Sequence, residues 1–191
     1  MGGETVKMFN KMKIVSEKQA LARLETIRDG ATNRIREDHE HKAAPCATCL
    51  TPGACCLDAH FVNVRISRLE AVAINMIIDA QPIERSAAIR ERIDRTIAEY
   101  GLRPDAEHEN KFACPLYEKG IGCLVHDVAK PIPCIVHACY ESAADLPPSS
   151  ITENAELAID RLNMQTYGRA QPLMPIPLAL RSEQGNGRPS Q

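Results

Sequence analysis

Apolar side chains return at intervals of three and four along several stretches of this chain, the spacing that places them on one face of an α-helix. The first stripe is Leu21, Leu24, Ile27, Ala31 and Ile35. It opens at Ser16-Glu17-Lys18-Gln19, a capping-box pattern in which a hydroxyl and a side-chain amide satisfy each other's free backbone N–H groups. A helix from Ser16 to about Asp38 follows, with Gly30 tolerated inside it at modest cost. At Phe61-Val62-Asn63-Val64-Arg65-Ile66 the period changes to two, as in a short strand with one buried face. A second capping box, Ser67-Arg68-Leu69-Glu70, turns that strand into a helix reaching about Asp79. Gln81-Pro82 breaks the pattern, and Ile89, Ile93 and Ile97 mark another helix from about Ile83 to Tyr100. Gly101 stands where a left-handed cap would end it.

Residues 103–111 read as a polar loop, and Leu146-Pro147-Pro148-Ser149 as a linker. Ser150-Ile151-Thr152-Glu153 is a third capping box, opening a helix to about Tyr167 with Gly168 as its stop. Beyond it come Pro172, Pro175, Pro177 and Pro189 and a polar end, which predict an extended or disordered tail. No internal repeat is present. The organisation is an N-terminal segment at 1–15, one helical domain at 16–170 and the tail at 171–191. The fold class is mainly α with a small β element.

Composition narrows the function. The chain has 191 residues, 44% of them apolar, with no Trp, four Tyr and three Phe. Its core must be built from Ile, Leu, Val, Ala and Met. A net charge of −2 does not provide the basic field of a nucleic-acid binder. No apolar run approaches a membrane span. Met1 to Ser16 contain no uninterrupted apolar stretch to serve as a signal-peptide core. Gly2 is followed by Val6, where a myristoylation motif needs Ser or Thr. A cytoplasmic protein is expected.

The candidate chemistry lies in eight cysteines in two clusters: Cys46, Cys49, Cys55 and Cys56, then Cys114, Cys123, Cys134 and Cys139. A disulfide framework is one reading of an even number, but it needs an oxidising compartment, and a chain of this length needs no stapling. Inert or redox-active thiols are a second reading, which suits scattered cysteines better than Cys46-x-x-Cys49 followed by Cys55-Cys56. Metal is the third and preferred reading, because zinc and iron–sulfur clusters take four sulfur ligands. The helical domain is then metal-stabilised, its cysteine-bearing loops fastened at 45–60 and 112–140.

The spacing also excludes. With no second CxxC, this is not a zinc ribbon of the usual type, and the bacterial ferredoxin run is absent. Adjacent residues in an extended segment point to opposite sides. Cys55 and Cys56 therefore serve two neighbouring sites, or one ligates while the other is buried or bridging. One or two sites are both open. Cys134-Ile135-Val136-His137-Ala138-Cys139 reads as a helical turn with Cys134 and His137 on one face. His126 and His137 are possible auxiliary ligands, although a role beside a ligating sulfur suits them better given the surplus of thiols. His39 and His41 fit a solvated helix end. There is no Gly-x-Ser-x-Gly elbow, phosphate-binding loop or HExxH. Asp58, His60, Tyr117, Glu118 and Asp127 lie near the cysteines in sequence but read as ordinary surface polar groups. No catalytic residue is assigned.

Taken together, Cys46-x₂-Cys49-x₅-Cys55-Cys56, Cys114-Pro115-Leu116, Gly122-Cys123 and Lys130-Pro131-x-x-Cys134-x₄-Cys139 resemble the zinc- or iron-chelating CxxCxxCC domain family. These are the YkgJ-like cysteine cluster proteins, with flagellin N-methylases among their relatives. The resemblance covers 46–139, about half the chain. The gap of five before Cys55-Cys56 is longer than the family's two or three, and Lys130-Pro131 replaces its usual Arg-Pro. His126 stands where an aromatic is common.

The expected function is therefore a cytoplasmic metal-binding protein that holds an iron–sulfur cluster or zinc and can be redox-active. Alternatives are a metal-dependent enzyme of methyl-transfer or redox type, as the resemblance implies, or a zinc-stabilised adaptor for a partner protein. An electron-transfer or protein partner fits these readings; nucleic acid and membrane do not.

Overall fold

A computed structural model describes residues 14–44, 53–57, 63–104, 111–136, 138–140 and 142–184. Six α-helices occur among them: α1 (Glu17–Asp38), α2 (Arg68–Asp79), α3 (Ile83–Glu99), α4 (Ile132–Ile135), α5 (Ser149–Tyr167) and α6 (Ile176–Ser182). Three antiparallel pairs of two-residue strands accompany them. β1 (Ala43–Ala44) pairs with β5 (Cys139–Tyr140), β2 (Arg65–Ile66) with β6 (Met174–Pro175), and β3 (Tyr117–Glu118) with β4 (Gly122–Cys123). The fold is mainly helical, as expected, but its β structure is three separate clasps rather than one element.

The helix ends show which sequence signals act. At Ser67 the capping box forms in full, with the hydroxyl accepting from the Glu70 N–H and the Glu70 carboxylate accepting from the Ser67 N–H at 2.8 Å. Ser16 caps α1 from one side only, accepting from the Gln19 N–H at 3.4 Å. The third box does not form. Pro148 takes the cap position of α5, and Ser150 lies inside the helix. Proline excludes the preceding residue from helical geometry and has no N–H to leave unsatisfied, so it sets the cap two residues earlier than the box. Gly101 and Gly168 both adopt positive φ, 58° and 71°, at the predicted stops.

Helix α2 divides the interior. Ala71, Ile74 and Ile78 face a core shared with Ile89, Ile93 and Ile97 of α3, Phe112, Leu116 and Val125. Leu69 instead joins Leu24 and Ile35 of α1, Ile159 and Leu162 of α5, and Ile132 and Ile135 of α4. Two buried amides stitch the layers together. Asn163 of α5 accepts from the Leu69 N–H at 3.1 Å, satisfying a free donor in the first turn of α2, and Asn75 donates to the Leu180 carbonyl at 3.0 Å.

The tail corrects the sequence reading. Residues 174–182 form β6 and α6; Pro177 is buried, and Ile176, Leu178, Ala179 and Leu180 join the first core. Residues 185–191 lie outside the described part. Proline punctuation suggested a break, but Pro175 sits at the cap of α6 and Pro177 in its first turn, where a missing N–H leaves nothing unsatisfied. Arg68 ties the segment down further: it pairs with Glu183 at 3.0 Å while stacking on the Tyr167 ring at 4.1 Å. The strand predicted at 61–66 shrinks to β2, with 61–62 outside the described residues, and its partner is this same tail.

Glu70 carries a measurable consequence. Burial raises its pKa, against the opposing effect of N–H groups donated by Ser67 and Ile132. A carboxyl whose folded pKa lies above its unfolded value stabilises the protein only while protonated. Stability should fall as pH rises from the ordinary value of 4.5 through the folded pKa. Glu70→Gln keeps an acceptor at the cap and should lose that component of the pH dependence. Urea unfolding of both proteins across this range measures it, and parallel curves would refute the assignment.

Candidate metal centre

Three chain segments converge on one cavity. The first is the loop 53–57, where Gly53 at φ 79° opens a 3₁₀ turn carrying Cys55 and Cys56. The Cys56 N–H closes the turn on the Gly53 carbonyl at 2.8 Å. The ring of Tyr117 lies directly against the Gly53 Cα, in the space a Cβ would occupy. The second segment is the hairpin of β3 and β4 with its approach, carrying Cys114 and Cys123. It joins the first through the Cys114 N–H, which donates to the Cys56 carbonyl at 2.8 Å. The third is α4, begun by Pro131 and carrying Cys134, whose N–H donates to the Pro131 carbonyl at 2.9 Å.

These segments enclose a cavity of about 820 Å³, and Cys55, Cys56, Cys114, Cys123 and Cys134 all line it. Of the sequence candidates, His126, Asp127 and Tyr117 line it as well. Glu118 is turned to Arg92, with which it pairs at 3.2 Å. Cys139 is exposed on β5 and does not belong to the lining. Cys46, Cys49, Asp58, His60 and His137 lie outside the described residues. Among the described residues, no group of three or more Cys, His, Asp or Glu side chains is set to hold a single ion; the thiols ring a space rather than a point.

The surroundings of the sulfurs differ in kind. Burial pushes the Cys114 thiol up to about 12, opposed by the N–H groups of Leu116 and Tyr117 and reinforced by Cys134 and Cys123. Burial also pushes Cys134 up to about 12, opposed by Lys130 and reinforced by Cys123, Cys56 and Glu70. Cys123 is raised chiefly by burial, against the Val125 N–H and Lys130. Cys56 is raised by burial and then by Cys114, Cys55 and Cys123. Each thiol thus raises its neighbours, because several thiolates so close together repel. Unaided, the set stays protonated at neutral pH. A bound cation reverses that balance by deprotonating its thiol ligands.

Several of the wall residues escaped sequence reasoning. By sequence Val64 and Arg65 read as strand, Lys130 as part of a motif and Ile176 as tail, yet all four line the cavity. No sequence signal could have brought Ile176 to the cavity, because its position depends on the Ile176 N–H bonding to the Val64 carbonyl at 3.2 Å, a contact across the whole domain.

Among the described residues, no helix is long and apolar enough to cross a membrane. Compared with protein-family models, curated proteins and solved structures, the chain gives no match.

Proposed function

We propose that this chain holds a thiolate-bound metal centre, an iron–sulfur cluster or zinc, in the manner the resemblance to CxxCxxCC proteins implies. The observation that carries the reading is that five thiols from three separate segments line one cavity. Backbone N–H groups directed at the sulfurs of Cys114 and Cys123 support it, since such donors stabilise ligating thiolates. Cys56, Cys114, Cys123 and Cys134 would hold the centre, with Cys55, Cys46 and Cys49 as further donors. A reducing, cytoplasmic setting would keep these thiols free. Bound there, an iron–sulfur cluster would supply one-electron transfer, whereas zinc would supply a cross-link or a Lewis acid.

A redox or catalytic role needs an accessible space beside the metal, which this open cavity would provide. Small-molecule pockets run from about 300 to 1,000 Å³, whereas a structural zinc is sealed by its four ligands. Anaerobic purification, elemental analysis, acid-labile sulfide assay and a visible spectrum test the reading. Iron with sulfide, or zinc, near stoichiometric amounts is expected, with most of it lost in Cys114→Ser/Cys134→Ser. A fully reduced protein that carries only trace metal and takes up none on reconstitution would overturn it.

A further inference from the structure

The five lining thiols are not supported alike. Cys114 has two backbone N–H groups at its sulfur, from Leu116 and Tyr117. Cys123 has one, from Val125, together with the charge of Lys130. Lys130 lines the same cavity wall as Cys123 and Cys134 and precedes Cys134, in the turn that leads into α4. Asp127 lines the same cavity, and Glu70 borders the small void on the far side of Lys130. Assembling thiolates there, beside the Asp127 side chain on the same wall, would concentrate negative charge.

Lys130 is placed to answer it. It lines the large cavity, and on its other side it borders a void of about 10 Å³ shared with Glu70 and Arg28. It is half-buried between the two spaces. Its backbone leads directly into Pro131, which starts α4 and so fixes Cys134 relative to it. Arg65, the other cationic side chain on the cavity wall, directs its Nε to the Leu173 carbonyl at 3.2 Å.

We propose that Lys130 is the positioning cation of the thiolate site, holding its ammonium beside Cys123 and Cys134 and thereby setting how tightly metal is bound. This rests on the metal reading above. The mechanism is electrostatic: a fixed positive charge offsets the repulsion among thiolates that must assemble around the ion, and is worth most where water is partly excluded. Lys130 itself is not a ligand, since an ammonium has no lone pair to give.

The test titrates Zn²⁺ alone into the reduced, metal-stripped full chain against a competing chelator. Wild type, Lys130→Met, Lys130→Arg and Lys119→Met are compared, the last removing the same charge from an exposed hairpin turn. Outer partners of metal ligands typically change affinity by about 10–100-fold. Lys130→Met should weaken Zn²⁺ binding by about tenfold or more on that scale, while Lys130→Arg and Lys119→Met stay near wild type. Thermal unfolding of the stripped proteins identifies any variant that fails to fold. If wild type binds Zn²⁺ and Lys130→Met binds it equally well, or if Lys130→Arg is as weak as Lys130→Met, the role of Lys130 is overturned. If wild type takes up neither Zn²⁺ nor, on reconstitution, iron and sulfide, the metal reading itself has failed.

Discussion

Phe112→Ala should destabilise the protein by about 3–5 kcal/mol, the range for deleting a large aromatic from a packed core. Phe112 is 0% exposed and is the largest of the fully buried side chains. It packs with Ile66, Ile74, Ile93 and Leu180 in the core that α2, α3 and α6 share. The side chains buried around it are mostly Ile, Leu, Val and Ala, each smaller than the ring they would have to replace. The effect should reach beyond stability. Phe112 lies two residues before Cys114, whose N–H holds the 53–57 loop, so loosening the anchor should expose the Cys114 thiol to alkylation under native conditions. Urea unfolding and timed iodoacetamide labelling measure the two effects. A loss below about 1 kcal/mol, smaller than most core truncations, would mean that this segment is not packed as described.

Gly53→Ala should be nearly as damaging, by about 2–4 kcal/mol, from two separable causes. The first is conformational: at φ 79° a Cβ is strained whatever surrounds it. The second is steric, since the new Cβ would fall on the Tyr117 ring. The double variant Gly53→Ala/Tyr117→Leu should recover the steric part and leave the conformational part. Both single variants and the double are needed, because the contact pair is where additivity fails. If Tyr117→Leu gives no relief, the ring is not what closes the loop. Labelling of Cys55 and Cys56 should quicken in Gly53→Ala, since the turn that presents them no longer docks.

Local signals described the helices well. The isoleucine stripe of α3, the capping box at Ser67 and the glycine stops all act as their chemistry implies, because each is settled within a few residues. The signals failed where a distant partner decides. Ser150 is a local exception, outweighed by Pro148 two residues before it, whereas the prolines of 172–177 look like breakers although two of them start a buried helix. Of the strand expected at 61–66, the described residues 63–66 keep only Arg65 and Ile66, the two that pair with the tail. The site was legible in part. Clustered cysteines pointed to Cys55, Cys56, Cys114, Cys123 and Cys134, which do share a cavity, but gave no means of separating Cys139, which stands outside on β5. Spacing reports which thiols a chain segment carries, and only the long-range pairing of β1 with β5 reports where one of them goes.

The place of α6 has a consequence for the order in which the protein is made. Synthesis runs from N- to C-terminus, and domains fold as their elements emerge. Every cysteine precedes Ile176, the residue that completes the cavity wall, and Leu178 and Leu180, which close the core behind it. While the last segment is still inside the ribosome, the thiols are already outside it, facing a half-built wall. A nascent chain stalled at that stage would carry its sulfurs open to oxidants and to whichever thiophilic ion arrives first. For the metal centre proposed above, the choice of ion would then be a matter of timing as much as of affinity, decided in the interval before α6 seats.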